Sequence, residues 1–129
     1  MKGRTIYKGK AEAEAIVSSE PISFYGGVDP ETGKVVEKGH PLENKSITDK
    51  VLVFPQGKGS TVGSYIIYSL KKNKKAPAAI ICKETETIVA VGAIISEIPM
   101  VDKIDISKIK TGDKVKVDAD NGTVEIESA

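Results

Sequence analysis

Cysteine and histidine are nearly absent: 129 residues hold one of each, Cys82 and His40. One cysteine excludes an internal disulfide, and together with one histidine it excludes a Cys/His zinc site made by this chain alone. An iron–sulfur cluster held by the chain itself is excluded on the same ground, since it takes about three or four thiolates. A Ser-His-Asp triad has only His40 to draw on. Tryptophan is missing, and of nineteen basic residues only Arg4 is arginine. Neither sign of charge dominates, with eighteen acidic residues and a net charge of +1. A nucleic-acid or membrane-surface binder needs a basic excess, so neither partner is expected. The longest apolar stretch, Ile88 to Ile95, falls far short of the roughly 20 residues that span a bilayer. Met1-Lys2-Gly3-Arg4-Thr5 lacks the apolar core of a signal peptide. A free cysteine without such a leader leads to the expectation of a cytoplasmic protein.

The chain length suits one domain over residues 1–129, large enough to bury its own core. Thr5 to Ser18 alternates alanine with charged residues, which predicts a strand with alanines on its inner face. Ile22 to Tyr25 and Lys34 to Val36 are short strand candidates around a glycine-rich loop. Val51-Leu52-Val53-Phe54 is a continuous apolar run suited to a strand buried on both faces. Thr61 to Asn73 reads as a helix with Val62, Ile66, Ser69 and Leu70 on one face and lysines at its C-terminal end. Ala78 to Cys82 is a second buried strand, so the segment is a βαβ unit with parallel strands. Ile88 to Ser96 reads as a short helix and Ile98 to Val101 as a strand. Val115 and Val117, the pair Asn121-Gly122, and Val124 with Ile126 predict a hairpin closed by a type I′ turn. The sum is a mixed α/β fold, one β/β/α domain.

The strongest candidate site is Gly57-Lys58-Gly59-Ser60 with Ser64. It follows a buried strand and opens a helix, the edge at which α/β sheets bind ligands. A helix N-terminus offers free N–H groups to an anion, and glycines let the backbone approach it. The spacing is not that of a phosphate-binding Walker loop, because Lys58 precedes Gly59. Ser60 is also a favoured N-cap type, and the two roles are compatible. In the second candidate, Gly26, Gly27 and Asp29, the carboxylate serves either a ligand or its own turn. His40 before Pro41 reads as a surface or turn residue. Cys82, at the end of an apolar run, reads as a small buried hydrophobe.

The ordered motifs carry a resemblance. They are Pro21-Ile22-Ser23-Phe24-Tyr25-Gly26-Gly27-Val28-Asp29-Pro30, His40-Pro41, Val51 to Pro55 with Gly57-Lys58-Gly59-Ser60 and Ser64, Ala76-Pro77-Ala78-Ala79-Ile80-Ile81, and Gly92-Ala93-Ile94-Ile95 with Ile98-Pro99. Over roughly residues 5 to 127 the chain resembles the small subunit of the aconitase X family. That resemblance implies a swivelling β/β/α domain like those of aconitases and phosphohistidine domains. It implies a heterodimer whose large subunit holds an iron–sulfur cluster, with no cofactor bound by this chain. The implied activity is that of a hydro-lyase on a small anionic substrate. It removes water from (R)-5-phosphomevalonate to give trans-anhydromevalonate 5-phosphate, and dehydration of cis-3-hydroxyproline is the alternative within the family. A non-catalytic swivel or binding module is the reading from another class. The family pattern makes Ser60 the catalytic base. Gly57, Lys58, Gly59, Ser64, Gly26, Gly27 and Asp29 are then the expected substrate-binding residues. Lys58 stands where relatives often carry arginine, and a lysine is a point charge rather than a bidentate fork.

Overall fold

The computed structural model describes residues 1–127. Its elements in chain order are β1 (Arg4–Tyr7), β2 (Lys10–Val17), α1 (Phe24–Gly27), β3 (Val51–Phe54), α2 (Gly63–Lys72), β4 (Ala79–Cys82), α3 (Thr87–Ser96), β5 (Met100–Asp102), a 3-10 turn at Ile106–Lys108, β6 (Lys114–Asp118) and β7 (Thr123–Glu127).

The apolar run of β3 explains the layering. All four of its side chains are buried. Leu52 and Phe54 point into a core shared with the helices, containing Phe24, Ile67, Leu70, Ile80 and Val89. Val51 and Val53 point the other way, into a core with Val101, Ile104, Val115, Val117 and Val124. A strand alternates its side chains between two faces, so continuous apolarity here means two cores.

The seven strands form one sheet in the order β1-β5-β4-β3-β2-β6-β7. Its centre is parallel: β2 with β3, β3 with β4, β4 with β5. The edges are antiparallel. β2 belongs to both halves: Ala15–Val17 pair with β3, while Lys10–Glu14 pair with β6. The sheet therefore curls about β2 and its far edges meet. Gly3 N–H donates to Gly122 O (2.7 Å) and Val124 N–H to Met1 O (2.8 Å). The curl encloses the second core, and the helices cover the first. This is the mixed α/β, β/β/α arrangement expected from the sequence, with the alanines of β2 inside it.

Several local expectations change. The first strand is two, interrupted where Gly9 adopts φ +131°. Ile22 to Tyr25 is no strand: Ile22 alone bridges Gly57, and Phe24–Gly27 is one irregular turn in which Tyr25 and Gly26 leave helical geometry. Lys34 to Val36 makes only isolated bridges. α2 begins at Gly63, two residues late, and buries Gly63, Ser64, Ile67 and Leu70. Val62 is 42% exposed, not a core position. The phase follows α3: a Cβ on Gly92 would lie 2.5 Å from Ile67 Cδ1, so Ile67 fills the space that Gly92 leaves. The hairpin loop is four residues, 119–122, because Asp118 pairs with Thr123. Only Gly122 has positive φ, so the type I′ turn, which needs it at both central residues, does not form.

Candidate active site

β3 ends at the carboxyl edge of the parallel strands and releases the loop Pro55 to Val62. Two bonds clamp its middle to the α1 segment: Ile22 N–H donates to Gln56 O (3.2 Å), and Lys58 N–H to Ile22 O (3.1 Å). Gly57 N–H donates to Glu86 Oε1 (2.9 Å). Gly59 has φ +88°, and a Cβ there would stand 2.6 Å from Ser23 Oγ. The clamped and bent loop leaves Ser60 exposed at its tip.

Ser60 is not the N-cap of α2. That position falls to Val62, which makes no side-chain cap. Ser60 instead organises the turn before the helix. Its Oγ accepts from Val62 N–H (3.1 Å), and its carbonyl accepts from Gly63 N–H (2.9 Å). Among the described residues the N–H groups of Gly59, Ser60 and Thr61 have no intramolecular acceptor. Ser60 Oγ thus holds one backbone donor, Val62 N–H, just before the N-terminus of α2, a setting that favours negative charge.

The α1 turn packs beside this loop, with Phe24 and Tyr25 next to Gly63. It carries Gly26, which has open space around it, and Gly27. Glu37 comes with them: it lies against Gly27, and its Oε2 is 3.7 Å from Lys58 Nζ. Asp29 behaves as a turn residue. Its Oδ1 accepts from Glu31 N–H (2.9 Å), and Pro30 O is held by Asn73 at the far end of α2. Ser64 is buried, and its hydroxyl donates to Ile88 O (2.7 Å), tying α2 to α3. His40 is a buried clamp, not a surface residue. Its Nδ1 accepts from Leu42 N–H (3.0 Å), so Nε2 carries the proton toward Pro21 O (3.1 Å).

The profile of the aconitase X swivel domain matches residues 1–126. The chain belongs to the aconitase X swivel domain family. It is 67% identical over 126 residues to the phosphomevalonate dehydratase small subunit of Thermococcus kodakarensis, covering 98% of this chain and 95% of that protein. Identity to the phosphomevalonate dehydratase small subunit of Methanosarcina acetivorans is 60% over 129 residues, covering 98% and 90%. A crystal structure of Thermococcus kodakaraensis aconitase X in its holo-form superposes with a TM-score of 0.97 at 66% identity, covering 98% of this chain and 97% of that one.

This swivel domain does not assemble the donor set of an iron–sulfur cluster. Its one thiol, Cys82, is buried, and burial, with the Glu86 and Asp102 carboxylates nearby, pushes its pKa well up. No group of three or more His, Cys, Asp or Glu stands ready for a metal among the described residues. Beside the serine loop, a groove of about 720 Å³ opens at the carboxyl ends of β2 to β5, lined by Ser18, Gln56, Lys83, Lys103, Ile104 and Ile106 among others.

Residue types and local spacing did not single out Glu86, Glu37 or Asp102. Glu86 caps α3 through Ile88 N–H (2.7 Å) while holding Gly57. Asp102 is fully buried at the end of β5, bound by the fork of Arg4 (2.9 and 2.7 Å) and by Thr85 N–H (2.9 Å). The available signals were an acidic residue directly before an apolar helix and the solitary arginine.

Proposed function

We propose that this chain is the small subunit of a phosphomevalonate dehydratase, and that Ser60 is its catalytic base. Near-full-length identity to small subunits of that name carries the substrate assignment. The exposed loop supports the role of Ser60. In the reaction, a proton leaves the carbon next to the carboxylate of (R)-5-phosphomevalonate and the 3-hydroxyl departs. The products are water and trans-anhydromevalonate 5-phosphate.

A neutral serine is a poor base, so Ser60 acts as an alkoxide. Val62 N–H already points at its oxygen and stabilises the anion, as preorganised donors do in a water-excluded site. Once protonated, the hydroxyl keeps this bond, so the loop does not rearrange between the two states. The free N–H groups of Gly59, Ser60 and Thr61 donate to an anionic group of the substrate. Lys58, paired with Glu37 across an open 3.7 Å contact, adds positive potential. Gly26 and Gly27 shape the wall beside the loop. Gly57 and Ser64 act by packing, and Asp29 holds its own turn.

The remaining parts belong to a large subunit. We assign to it the iron–sulfur cluster, which supplies Lewis acidity at the leaving hydroxyl. Docking of the swivel domain encloses Ser60 and excludes water.

Anaerobic co-purification with the large subunit, followed by assay on (R)-5-phosphomevalonate and cis-3-hydroxyproline, tests the assignment. Turnover of the first alone is expected; turnover of the second alone would overturn it. Ser60→Ala in the same complex should leave assembly intact and lower kcat by about 10³-fold or more, the upper range for loss of a general base. Near-normal kcat in that variant would refute the role of Ser60.

A further inference from the structure

The loop that presents Ser60 is held from behind by an acidic side chain of another βα connection. Glu86 stands directly before α3, half-buried. Its Oε2 accepts from Ile88 N–H (2.7 Å) and Val89 N–H (3.3 Å). Its Oε1 accepts from Gly57 N–H (2.9 Å). One carboxylate therefore joins the N-terminus of α3 to the loop entering α2. Gly57 is glycine for this purpose: a Cβ there would lie 2.6 Å from Glu86 Oε1 and 2.5 Å from Val89 Cγ2. Glu86 is itself anchored, because its neighbour Thr85 donates its N–H to the buried Asp102 carboxylate, which Arg4 holds by a two-point fork.

We infer that Glu86 is a positioning residue for the reaction assigned above to Ser60, fixing the loop three residues upstream of the base. The inference rests on that assignment. Both oxygens of Glu86 are acceptors here, one for Gly57 N–H and one for Ile88 N–H. A glutamine keeps one acceptor and turns an NH₂ group toward a backbone N–H, so one of the two attachments fails. The loop then loses its register behind Ser60, and misplacement by about 1 Å costs roughly 100-fold in rate.

The test compares wild type, Glu86→Gln, Glu86→Asp, Ser60→Ala and the double variant Ser60→Ala/Glu86→Gln in the reconstituted complex. Each is assayed for kcat and KM on (R)-5-phosphomevalonate. Amide ¹⁵N–¹H spectra of the full-length chain accompany the kinetics. Glu86→Gln should lower kcat at least about tenfold with KM within about threefold. Glu86→Asp should recover part of the loss. The double variant should be no slower than Ser60→Ala alone. The Gly57 amide proton should move upfield in Glu86→Gln, with Ser60 shifting alongside. Wild-type kcat in Glu86→Gln, or an equal loss on the Ser60→Ala background, would overturn the inference. If the wild-type complex does not turn over phosphomevalonate, the function assignment fails. The spectra then decide Glu86 separately, since unchanged Gly57 and Ser60 amides in Glu86→Gln refute its hold on the loop.

Discussion

Gly59 is the residue on which the shape of the serine loop turns. Its φ of +88° strains any L side chain, and the nearest atom to a new Cβ is Ser23 Oγ at 2.6 Å. Gly59→Ala should destabilise the chain by about 1–3 kcal/mol, the cost of a non-glycine residue held in a sparsely populated backbone region. It should also lower turnover of the complex, because Ser60 follows directly. Chemical denaturation and steady-state assay measure the two effects; unchanged stability and turnover would mean the loop tolerates the strain. Gly57 teaches a different lesson. From the sequence it reads as a glycine that lets a ligand approach, whereas the structure fills its space with Glu86 and Val89. The partner lies 29 residues along the chain, beyond any local pattern. The exposed glycine–serine turn was legible because residue type, glycine spacing and position after a buried strand coincide within a few residues.

At the scale of elements, the two helices are locked by a size match. Gly92 of α3 leaves the space that Ile67 of α2 occupies, and Ser64 stitches the pair by its bond to Ile88 O. Gly92→Ala should push the helices apart and cost about 1–3 kcal/mol, the usual range for overpacking a filled core. Ile67→Val on that background should restore part of the loss, read as a gain in denaturation midpoint. No recovery would show that the contact is not the cause. The same match shifts the buried stripe of α2. Leu70 is buried and Ile66 packs against the core as expected, whereas Val62 is exposed and Ile67 takes an inner position. That position is set by α3, which has almost no polar residue and packs by shape. β3 and β4 were legible, because four buried apolar residues in a row admit few other structures.

For the whole molecule, the apolar surface beside the loop is one of the features its own fold does not explain. Tyr25 is 56% exposed, Tyr65 67% and Val62 42%. All three lie on or against the turn that carries Ser60. In the proposed complex the large subunit covers them, and aromatic residues at the centre of an interface often carry much of its energy. Tyr65→Glu should therefore weaken association with the large subunit at least about tenfold while leaving the melting temperature of the chain within about 2 °C, as surface substitutions do. Calorimetric titration and thermal melts separate the two. Unaltered affinity would place the interface elsewhere.

The amino-acid sequence by itself determined the buried strands, the βαβ unit, the hairpin and the glycine–serine loop, because each is written in neighbouring residues. Its scarcity of cysteine and histidine also excluded a Cys/His zinc site or an iron–sulfur cluster held by this chain alone. Only the tertiary structure decided the curl about β2, the phase of α2, and the burial of His40 and Ser64. It alone joined Glu86 to Gly57 and Arg4 to Asp102. These last pairings connect residues 29 and 98 positions apart. Such contacts exist only once the parallel strands have brought their carboxyl ends to one edge, and no local propensity encodes that meeting.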